Sequence, residues 1–404
     1  MMLSILRVTA IAVTSAALMG SLAATAVGPA TAADTPKSRG ACPQWDGVQP
    51  HNGANAFLSG VAMLPTCQAW AVGTTNNPPR MLIEELIGSS WIKQVIPVIG
   101  SQAELASVTA TAPDSAWAVG SDHPTGKQIQ GLIIRWNGGS WTTQTTPALG
   151  HGAVSSLLSA VAASSASNAW AVGNYGNGKV QQTLILHWNG IAWKEAASPD
   201  PSGAAHSSKL TSVTVISRDD AWAAGYYRDS ARFAGSRTLI LHWNGKTWSQ
   251  VPSPTPTPAH QGMLFGITAT SPRNAWAVGY TTMPNDSTLV LHWNGRAWSQ
   301  QRSPNPPNPN QTPLWRLFGV SATSASNAWA VGYQGPSSFS SVILHWNGRA
   351  WRWVSSPSVG GDDIPSAVTA SPAGGAWAVG FYHPDFPLGD AAFTIHWNGT
   401  TWQQ

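Results

Sequence analysis

Seven copies of a two-part phrase fill most of the chain, and this repeat limits the fold more than any other feature. One copy reads Ala221–Gly225 (AWAAG) followed by Thr238–Trp248 (TLILHWNGKTW). A tryptophan lies at the centre of the first part in every copy: Trp70, Trp117, Trp170, Trp222, Trp276, Trp329 and Trp377. Their spacings run from 47 to 54 residues. Repeats of about 50 residues without helical periodicity are typical of β-propeller blades.

Each copy predicts four strands. A short apolar run rich in Thr and Ser forms strand one, and the AWAVG phrase forms strand two with Trp and Val on one face and Ala on the other. The LILHW phrase forms strand three and leads into Asn-Gly, for which we expect a tight primed turn with positive φ at both residues. Strand four begins at the Trp three residues beyond the Gly. We therefore predict one all-β domain, a seven-bladed propeller with four antiparallel strands in each blade.

Tryptophan is unusually abundant, and the repeat explains most of it. The chain has 23 Trp, of which 20 occupy repeat positions. Such regular placement indicates packing between blades rather than separate binding sites. Five copies also carry a His before the second Trp, namely His187, His242, His292, His345 and His396. Equivalent positions on successive blades cannot converge on one ion, so we predict a repeated structural hydrogen bond and no metal site.

The N-terminus has the composition of an export signal. A short leader with Arg7 precedes an apolar run from Val8 to about Val27, and Ala30-Thr31-Ala32 forms an A-x-A cleavage motif. We predict a cleaved signal peptide over residues 1–33, a latch segment over 34–57 and the propeller over 58–404. No second apolar run is long enough to cross a membrane. The expected location is therefore extracellular, with the protein secreted as a monomer.

Charge and cysteine content narrow the function classes. Without Arg7 the chain keeps 20 basic and 17 acidic side chains, a balance too weak and scattered for nucleic-acid binding. Cys42 and Cys67 are the two cysteines of the chain, and in an exported protein such a pair predicts a disulfide. Because the fourth strand of the last copy stops at Gln404, we expect residues 42–50 to lie along the edge of the seventh blade and the disulfide to tie them to the first.

The loops between strands two and three, and the connections between blades, carry most of the sequence variation. In a four-stranded meander both lie on one face of the disc, which we call the variable face. Variable loops on a rigid ring are a usual place for function. Aromatic residues follow the AWAVG phrases there and could stack on sugars or hold a peptide. The candidate ligand-binding residues are Tyr175, Tyr226, Tyr227, Tyr280, Trp315, Tyr333 and Tyr382. The alternative is that these rings cap the core where strand two ends.

The repeats resemble those of secreted bacterial β-propellers in the broad kelch, BNR and tectonin-like group, over residues 58–404. The hairpin ending Gly245-Lys-Thr-Trp248 is similar to the end of the BNR Asp-box turn, but Leu241 and Trp243 occupy its Ser and Asp positions. Sialidase-type function is therefore not implied. A Trp-x-Val strand followed by a Gly-x-x-Trp hairpin resembles tectonin repeats, which implies a lectin-like module.

Two functions follow as hypotheses. The first is a non-enzymatic extracellular binding or scaffold propeller that takes a glycan or a protein ligand through the variable face, without a cofactor. The second is a secreted carbohydrate-active enzyme with a site at the channel mouth, built from His123, Asp229 and His383. The chain has only four Glu, and its acidic residues share no motif that would pair two carboxylates on one sugar. No nucleophile elbow, zinc-binding helix or phosphate loop is present, so the sequence favours binding.

Overall fold

The computed structural model describes residues 55–76, 79–97, 99–100, 102–149, 153–203, 205–228, 235–254, 261–282, 286–305, 314–336, 338–372, 374–383 and 389–404. The chain divides into two units, Met1–Gly40 and Ala41–Gln404, and all described residues belong to the second. The predicted signal peptide, the latch up to residue 54 and Cys42 lie outside the described residues. The disulfide and the latch therefore stay predictions.

The described residues form 28 strands in seven antiparallel sheets of four, which confirms the predicted propeller. The first blade contains β1 (Ala56–Met63), β2 (Ala69–Asn76), β3 (Pro79–Ile87) and β4 (Ser90–Lys93). The second contains β5 (Ala103–Ala112), β6 (Ser115–Asp122), β7 (Gln130–Trp136) and β8 (Trp141–Thr143). The third contains β9 (Ser155–Ser165), β10 (Asn168–Gly176), β11 (Gln181–Trp188) and β12 (Trp193–Ala196).

The remaining blades repeat this arrangement. The fourth contains β13 (Ser208–Ser217), β14 (Asp220–Arg228), β15 (Ser236–Trp243) and β16 (Trp248–Gln250). The fifth contains β17 (Gln261–Ser271), β18 (Asn274–Thr282), β19 (Ser287–Trp293) and β20 (Trp298–Gln301). The sixth contains β21 (Trp315–Ser324), β22 (Asn327–Gln334), β23 (Ser340–Trp346) and β24 (Trp351–Trp353). The seventh contains β25 (Asp362–Ala370), β26 (Ala376–His383), β27 (Ala391–Trp397) and β28 (Trp402–Gln403).

The two faces of strand two are used as predicted. Trp70 and Val72 pack into the interface with the second blade, whereas Ala69 and Ala71 face the seventh. Each strand-two Trp therefore lies against the small-residue face of the next blade. At six of the seven interfaces it contacts two tryptophans of that blade; Trp276, for example, lies 4.9 Å from Trp346 and 5.1 Å from Trp351 between ring centroids. Tryptophan triplets in tilted and edge-to-face contact are thus the repeated unit of the core.

The interface between the seventh and first blades departs from this pattern. Trp377 lies 5.3 Å from Trp91, but Leu86 occupies the register position where the other blades place a second Trp. This interface also buries Glu84, which is 1% exposed, where other blades have an aliphatic residue. The degenerate first copy of the repeat is therefore located at the closing interface of the ring.

The Asn-Gly hairpins are present, but the predicted turn type is wrong. Gly245 has φ of 88°, whereas among the described residues Asn55 and Cys67 are the non-glycine residues with positive φ. The loop between Trp243 and Trp248 contains four residues. The side chain of Asn244 accepts hydrogen bonds from the amides of Lys246 and Thr247, at 3.0 Å each. The Asn thus acts as a side-chain cap of the loop instead of adopting positive φ.

Four of the five repeated His residues make the predicted structural hydrogen bond, His242 with Asp220 and the other three with an Asn. His292 Nε2 lies 2.8 Å from Asn274 Oδ1, and the Asn274 amide nitrogen donates to Thr270 Oγ1, which makes its oxygen the acceptor. The His292 ring also stacks on Trp276, with 4.1 Å between centroids. His187 and His345 repeat this arrangement with Asn168 and Asn327. Burial lowers the pKa of four of these rings below 6.5, those of His187, His292, His345 and His396.

These lowered pKa values predict a loss of stability in mild acid. The unfolded chain takes up protons first, so the stabilisation is complete above about pH 6.5 and is lost as the pH falls through the lower folded-state pKa. We expect the thermal unfolding midpoint to fall between pH 7 and pH 5, and to fall less in the double variant His292→Gln/His345→Gln. Gln keeps an N–H donor for Asn274 and Asn327, so the midpoint at pH 8 should change little. An unchanged pH dependence in the double variant would contradict this assignment.

The first strand of each blade is innermost, and all seven line a central channel with a cavity volume of about 560 Å³. Each of these strands contains a register shift at the same position, where one residue has no partner on strand two. All seven of these bulge residues line the channel: Ser59, Ala106, Ser159, Thr211, Phe265, Phe318 and Ser366. The bulge therefore sets which side chain each blade presents to the channel.

Glycines make this bulged geometry possible. The Gly that ends each AWAVG phrase packs against the backbone of strand one; a Cβ on Gly279 would overlap the carbonyl oxygen of Met263, and the other six positions show the same overlap. The residue after each bulge is Gly, Ala or Ser because neighbouring inner strands approach closely. A Cβ on Gly60 would lie 2.9 Å from Ser107 Cα of the next blade. Small residues at these two positions are therefore required by the ring itself.

Candidate functional site: the channel mouth on the variable face

The mouth of the channel on the variable face has two chemically different sectors. They are formed by the start of strand one and the end of strand two in each blade. The residue after the AWAVG Gly is Tyr226, Tyr280, Tyr333 or Phe381 in blades four to seven, and Thr74, Ser121 or Asn174 in blades one to three. The mouth is therefore aromatic on one side and polar on the other.

The aromatic sector is a continuous row of rings. Phe265 stacks on Tyr280 at 5.2 Å with 9° between planes, and it contacts Phe318 edge to face at 5.4 Å. Tyr226 lies 6.0 Å from Phe265, and Tyr333 lies 5.6 Å from Phe318. The two bulge residues Phe265 and Phe318 thus connect the tyrosines of three blades.

Arg316 holds this row together from the fifth to the sixth blade. Its guanidinium lies 4.5 Å above the ring of Tyr280 and bonds to Asp286 through Nε at 2.8 Å and Nη2 at 2.6 Å. Nη1 donates to Tyr333 Oη at 3.3 Å. Asp286 and both tyrosines raise the pKa of Arg316 against the effect of its burial. A partly buried ion pair of this kind, in which Nε and Nη2 share the oxygen Oδ2 of Asp286, fixes both rings in place.

A second cavity of about 470 Å³ opens on the polar side of the mouth, lined by blades seven, one, two and three. Phe57 and Phe381 form one wall, with ring centroids 4.7 Å apart and an edge-to-face angle of 63°. Thr74, the strand partner of Phe57, also lines the cavity, as do the paired residues Glu104 and Ser121 of the second blade. We call this the mouth cavity.

Asn174 supplies an unpaired polar group next to the mouth cavity. It lines the channel, is 4% exposed, and its side-chain nitrogen has no hydrogen-bond partner among the described residues. A buried amide without a partner is costly, and such groups are typical of places where a ligand or water completes the hydrogen bonding.

The seven residues predicted from the sequence separate into two groups. Tyr226, Tyr280 and Tyr333 come together in the aromatic row, although Tyr280 is only 8% exposed. The other four residues lie outside this row. Tyr175 donates its hydroxyl to Gln182 at 2.7 Å, Tyr227 and Tyr382 pack against interblade cores, and Trp315 is 2% exposed and lies 5.6 Å from Trp353. All four therefore contact interblade cores, as the alternative stated for these rings expects.

Sequence reasoning missed Phe57, Phe381, Phe265, Phe318 and Glu104. Phe381 directly follows an AWAVG phrase, and that position could have indicated it. The other four belong to strand one, where no repeated motif marks the residue that faces the channel. The register shift that exposes Phe265 and Phe318 was not visible in the periodicity.

The residues named for the enzyme alternative do not form a paired acid site in the described structure. His123 Nε2 lies 3.0 Å from Ser121 Oγ in the second blade, while His383 contacts Asp390 in the seventh. Asp229 lies outside the described residues. Glu104 is the one carboxylate among the described residues that line the channel and the mouth cavity. Over the described ranges, no group of three or more His, Cys, Asp or Glu has the arrangement of a metal site.

A search for membrane-spanning helices in the described residues finds none that is long and apolar enough. Comparison of the sequence with protein-family models and with curated protein sequences finds no match.

Comparison with solved structures finds propellers at low sequence identity. A protein of unknown function from Dyadobacter fermentans aligns with a TM-score of 0.51 and 10% identity over 86% of this chain and 97% of that one. The BP39L lectin from Burkholderia pseudomallei aligns with a TM-score of 0.49 and 12% identity, over 87% and 98% of the two chains. The fucose-specific lectin from Aleuria aurantia aligns with a TM-score of 0.46 and 13% identity, over 77% and 96%. At such identities the similarity shows the fold alone, so function has to be inferred from the channel mouth.

Proposed function

We propose that this protein is a non-enzymatic extracellular binding propeller that takes a saccharide in the mouth cavity. The observation that carries the proposal is the composition of this cavity: a pair of aromatic rings, Phe57 and Phe381, lines about 470 Å³ together with residues that bear hydroxyl and carboxylate groups. A pyranose ring has an apolar face of C–H groups and a rim of hydroxyls. The cavity offers a surface of matching chemistry to each.

The rigidity of the site supports this proposal. The walls of the mouth cavity are strands of four blades, whose positions are fixed by interblade tryptophan packing and by the close approach of the inner strands. A preformed cavity loses little conformational entropy when it binds a ligand. The unpaired amide of Asn174 adds a hydrogen-bonding group that a hydroxyl of the ligand would satisfy.

Binding is favoured over glycoside hydrolysis by the distribution of carboxylates. Hydrolases place two carboxyl groups about 5–10 Å apart across the scissile bond. Glu104 has no second carboxylate beside it among the described residues lining the mouth cavity. We assign Glu104 the role of a hydrogen-bond acceptor for sugar hydroxyls. The extracellular part of the proposal rests on the composition of residues 1–33.

We expect Phe57→Ala to weaken glycan binding at least tenfold, because truncating an aromatic anchor in a binding cavity costs about 2 kcal/mol. The measurement is a glycan-array screen followed by calorimetric titration of the glycans that bind. The matched control is Phe339→Ala, which removes the same side chain from the variable face at Tyr333, away from the mouth cavity.

Equal affinities for the two variants would place the binding site outside the mouth cavity. Binding to no glycan at all would contradict the saccharide proposal and favour a protein ligand. Turnover of a bound glycan, abolished by Glu104→Gln, would favour the carbohydrate-active enzyme.

A further inference from the structure

A cleft between the third and fourth blades on the variable face is lined by three basic side chains. Its volume is about 470 Å³, and its lining includes Lys179, Lys209 and Arg228 together with the ring of Tyr226. The described residues that line it include no Asp or Glu. Lys209 and Tyr226 also line the central channel, so the cleft opens beside the channel mouth.

Lys209 is the central cation of this cleft. It is half-buried on β13, directly opposite Tyr226 of β14 in the strand register. Burial, and to a smaller extent the nearby charge of Arg228, lower the pKa of the Lys209 ammonium. The nearest acidic side chain on the preceding connection, Asp200, accepts hydrogen bonds from Ser208 Oγ at 2.6 Å and from the Ser202 amide at 3.2 Å instead.

The sixth blade provides an internal comparison for this arrangement. Arg316 occupies the same register position as Lys209, opposite Tyr333. It is neutralised by Asp286, which precedes strand three of the fifth blade, at 2.6 Å. In the strand register, the residue of the third blade that matches Asp286 is Gln181, and Lys179 lies two residues before it. The position that holds a carboxylate in one blade interface therefore holds a neutral amide in the other, so no residue there neutralises Lys209.

We propose that this cleft binds the oxyanion of an acidic saccharide, a carboxylate or a sulfate ester, between Lys209 and Arg228. The ligand anion takes the place that Asp286 has beside Arg316, and it relieves the repulsion between the two cations. Tyr226 supplies an aromatic surface to the sugar that carries the anion. The saccharide part rests on the proposed function, whereas the oxyanion part does not.

The test is titration of the full protein with dextran sulfate, with unsulfated dextran of the same length and with oligogalacturonate. Lys209→Met keeps the side-chain length and removes the charge. It should weaken binding of the anionic probes at least about tenfold, since a hydrogen bond to a charged group is lost. Lys209→Arg should retain binding. Lys246→Met is the matched control, because it removes the same charge from the same blade at an exposed turn on the opposite face.

The outcomes separate this site from the mouth cavity. Equal affinity of Lys209→Met and Lys246→Met for the anionic probes, or equal affinity of the unaltered protein for dextran and dextran sulfate, would overturn the oxyanion site. A third outcome is that the protein binds a neutral glycan, loses this binding in Phe57→Ala, and binds no anionic probe. That result would support the saccharide site in the mouth cavity and overturn the oxyanion site. The relative affinities for dextran sulfate and for oligogalacturonate distinguish a sulfate ligand from a carboxylate ligand.

Discussion

Replacing Gly279 with Ala is expected to destabilise the protein by about 3 kcal/mol or more, at the upper end of what overpacking costs. The Cβ of the new residue would overlap the carbonyl oxygen of Met263 on the paired strand. The obstacle is backbone rather than a rotatable side chain, so relief requires β17 and β18 to separate at their register shift. The midpoint of thermal unfolding, followed by circular dichroism, measures the effect.

The control for this substitution is Gly139→Ala in a hairpin loop of the second blade. Its Cβ would meet only the Asn137 side chain, at 3.8 Å, and its φ does not lie in the left-handed region. This variant should unfold within about 0.5 kcal/mol of the unaltered protein, as is usual for surface changes. A Gly279→Ala protein as stable as Gly139→Ala would show that the bulge can relax, contrary to our account of the AWAVG glycines.

Replacing Trp276 with Ala should cost about 3–5 kcal/mol, the range measured for removing a large aromatic side chain from a core. Trp276 is fully buried and contacts Trp346, Trp351 and the ring of His292. Its removal leaves a cavity at the boundary between the fifth and sixth blades. Chemical denaturation monitored by far-UV circular dichroism measures the loss.

The graded variant Trp276→Phe separates packing volume from a general intolerance of substitution. Phe keeps an aromatic ring against Trp351 but fills less of the site, so we expect a loss between those of the unaltered protein and Trp276→Ala. Equal losses for Phe and Ala would mean that the blade interface does not depend on the volume of this ring.

The fold was predictable because the order of large and small residues in each repeat follows from how neighbouring blades pack. On strand two, Trp and Val alternate with Ala, because one face of the sheet packs its large residues against the next blade and the other face packs its small residues against the previous one. The structure confirms this for Trp70 and Ala71. The turn type of the hairpins was not predictable from Asn-Gly alone. The pairing of Trp243 with Trp248 leaves four residues in the loop, and the Asn244 side chain then caps the amides.

The candidate site was only partly predictable, because it depends on contacts between blades. The position of Tyr226 and Tyr280 after the AWAVG phrase identified the variable face. Which rings reach the channel depends on the register shift in strand one, and no local sequence signal marks that shift. Phe57 and Phe381 are 324 residues apart in the chain, and they meet because the first and seventh blades close the ring.

The register shift in each inner strand also has an evolutionary consequence. A bulge residue has no partner across the strand pair, so the pairing of strands one and two does not dictate its side chain. Ser, Ala, Thr and Phe already occupy this position in different blades. A single codon change in one repeat therefore alters one segment of the channel wall while leaving the blade intact. Seven such positions make the ring a scaffold on which ligand specificity can diverge stepwise, and on which a library of variants can be built.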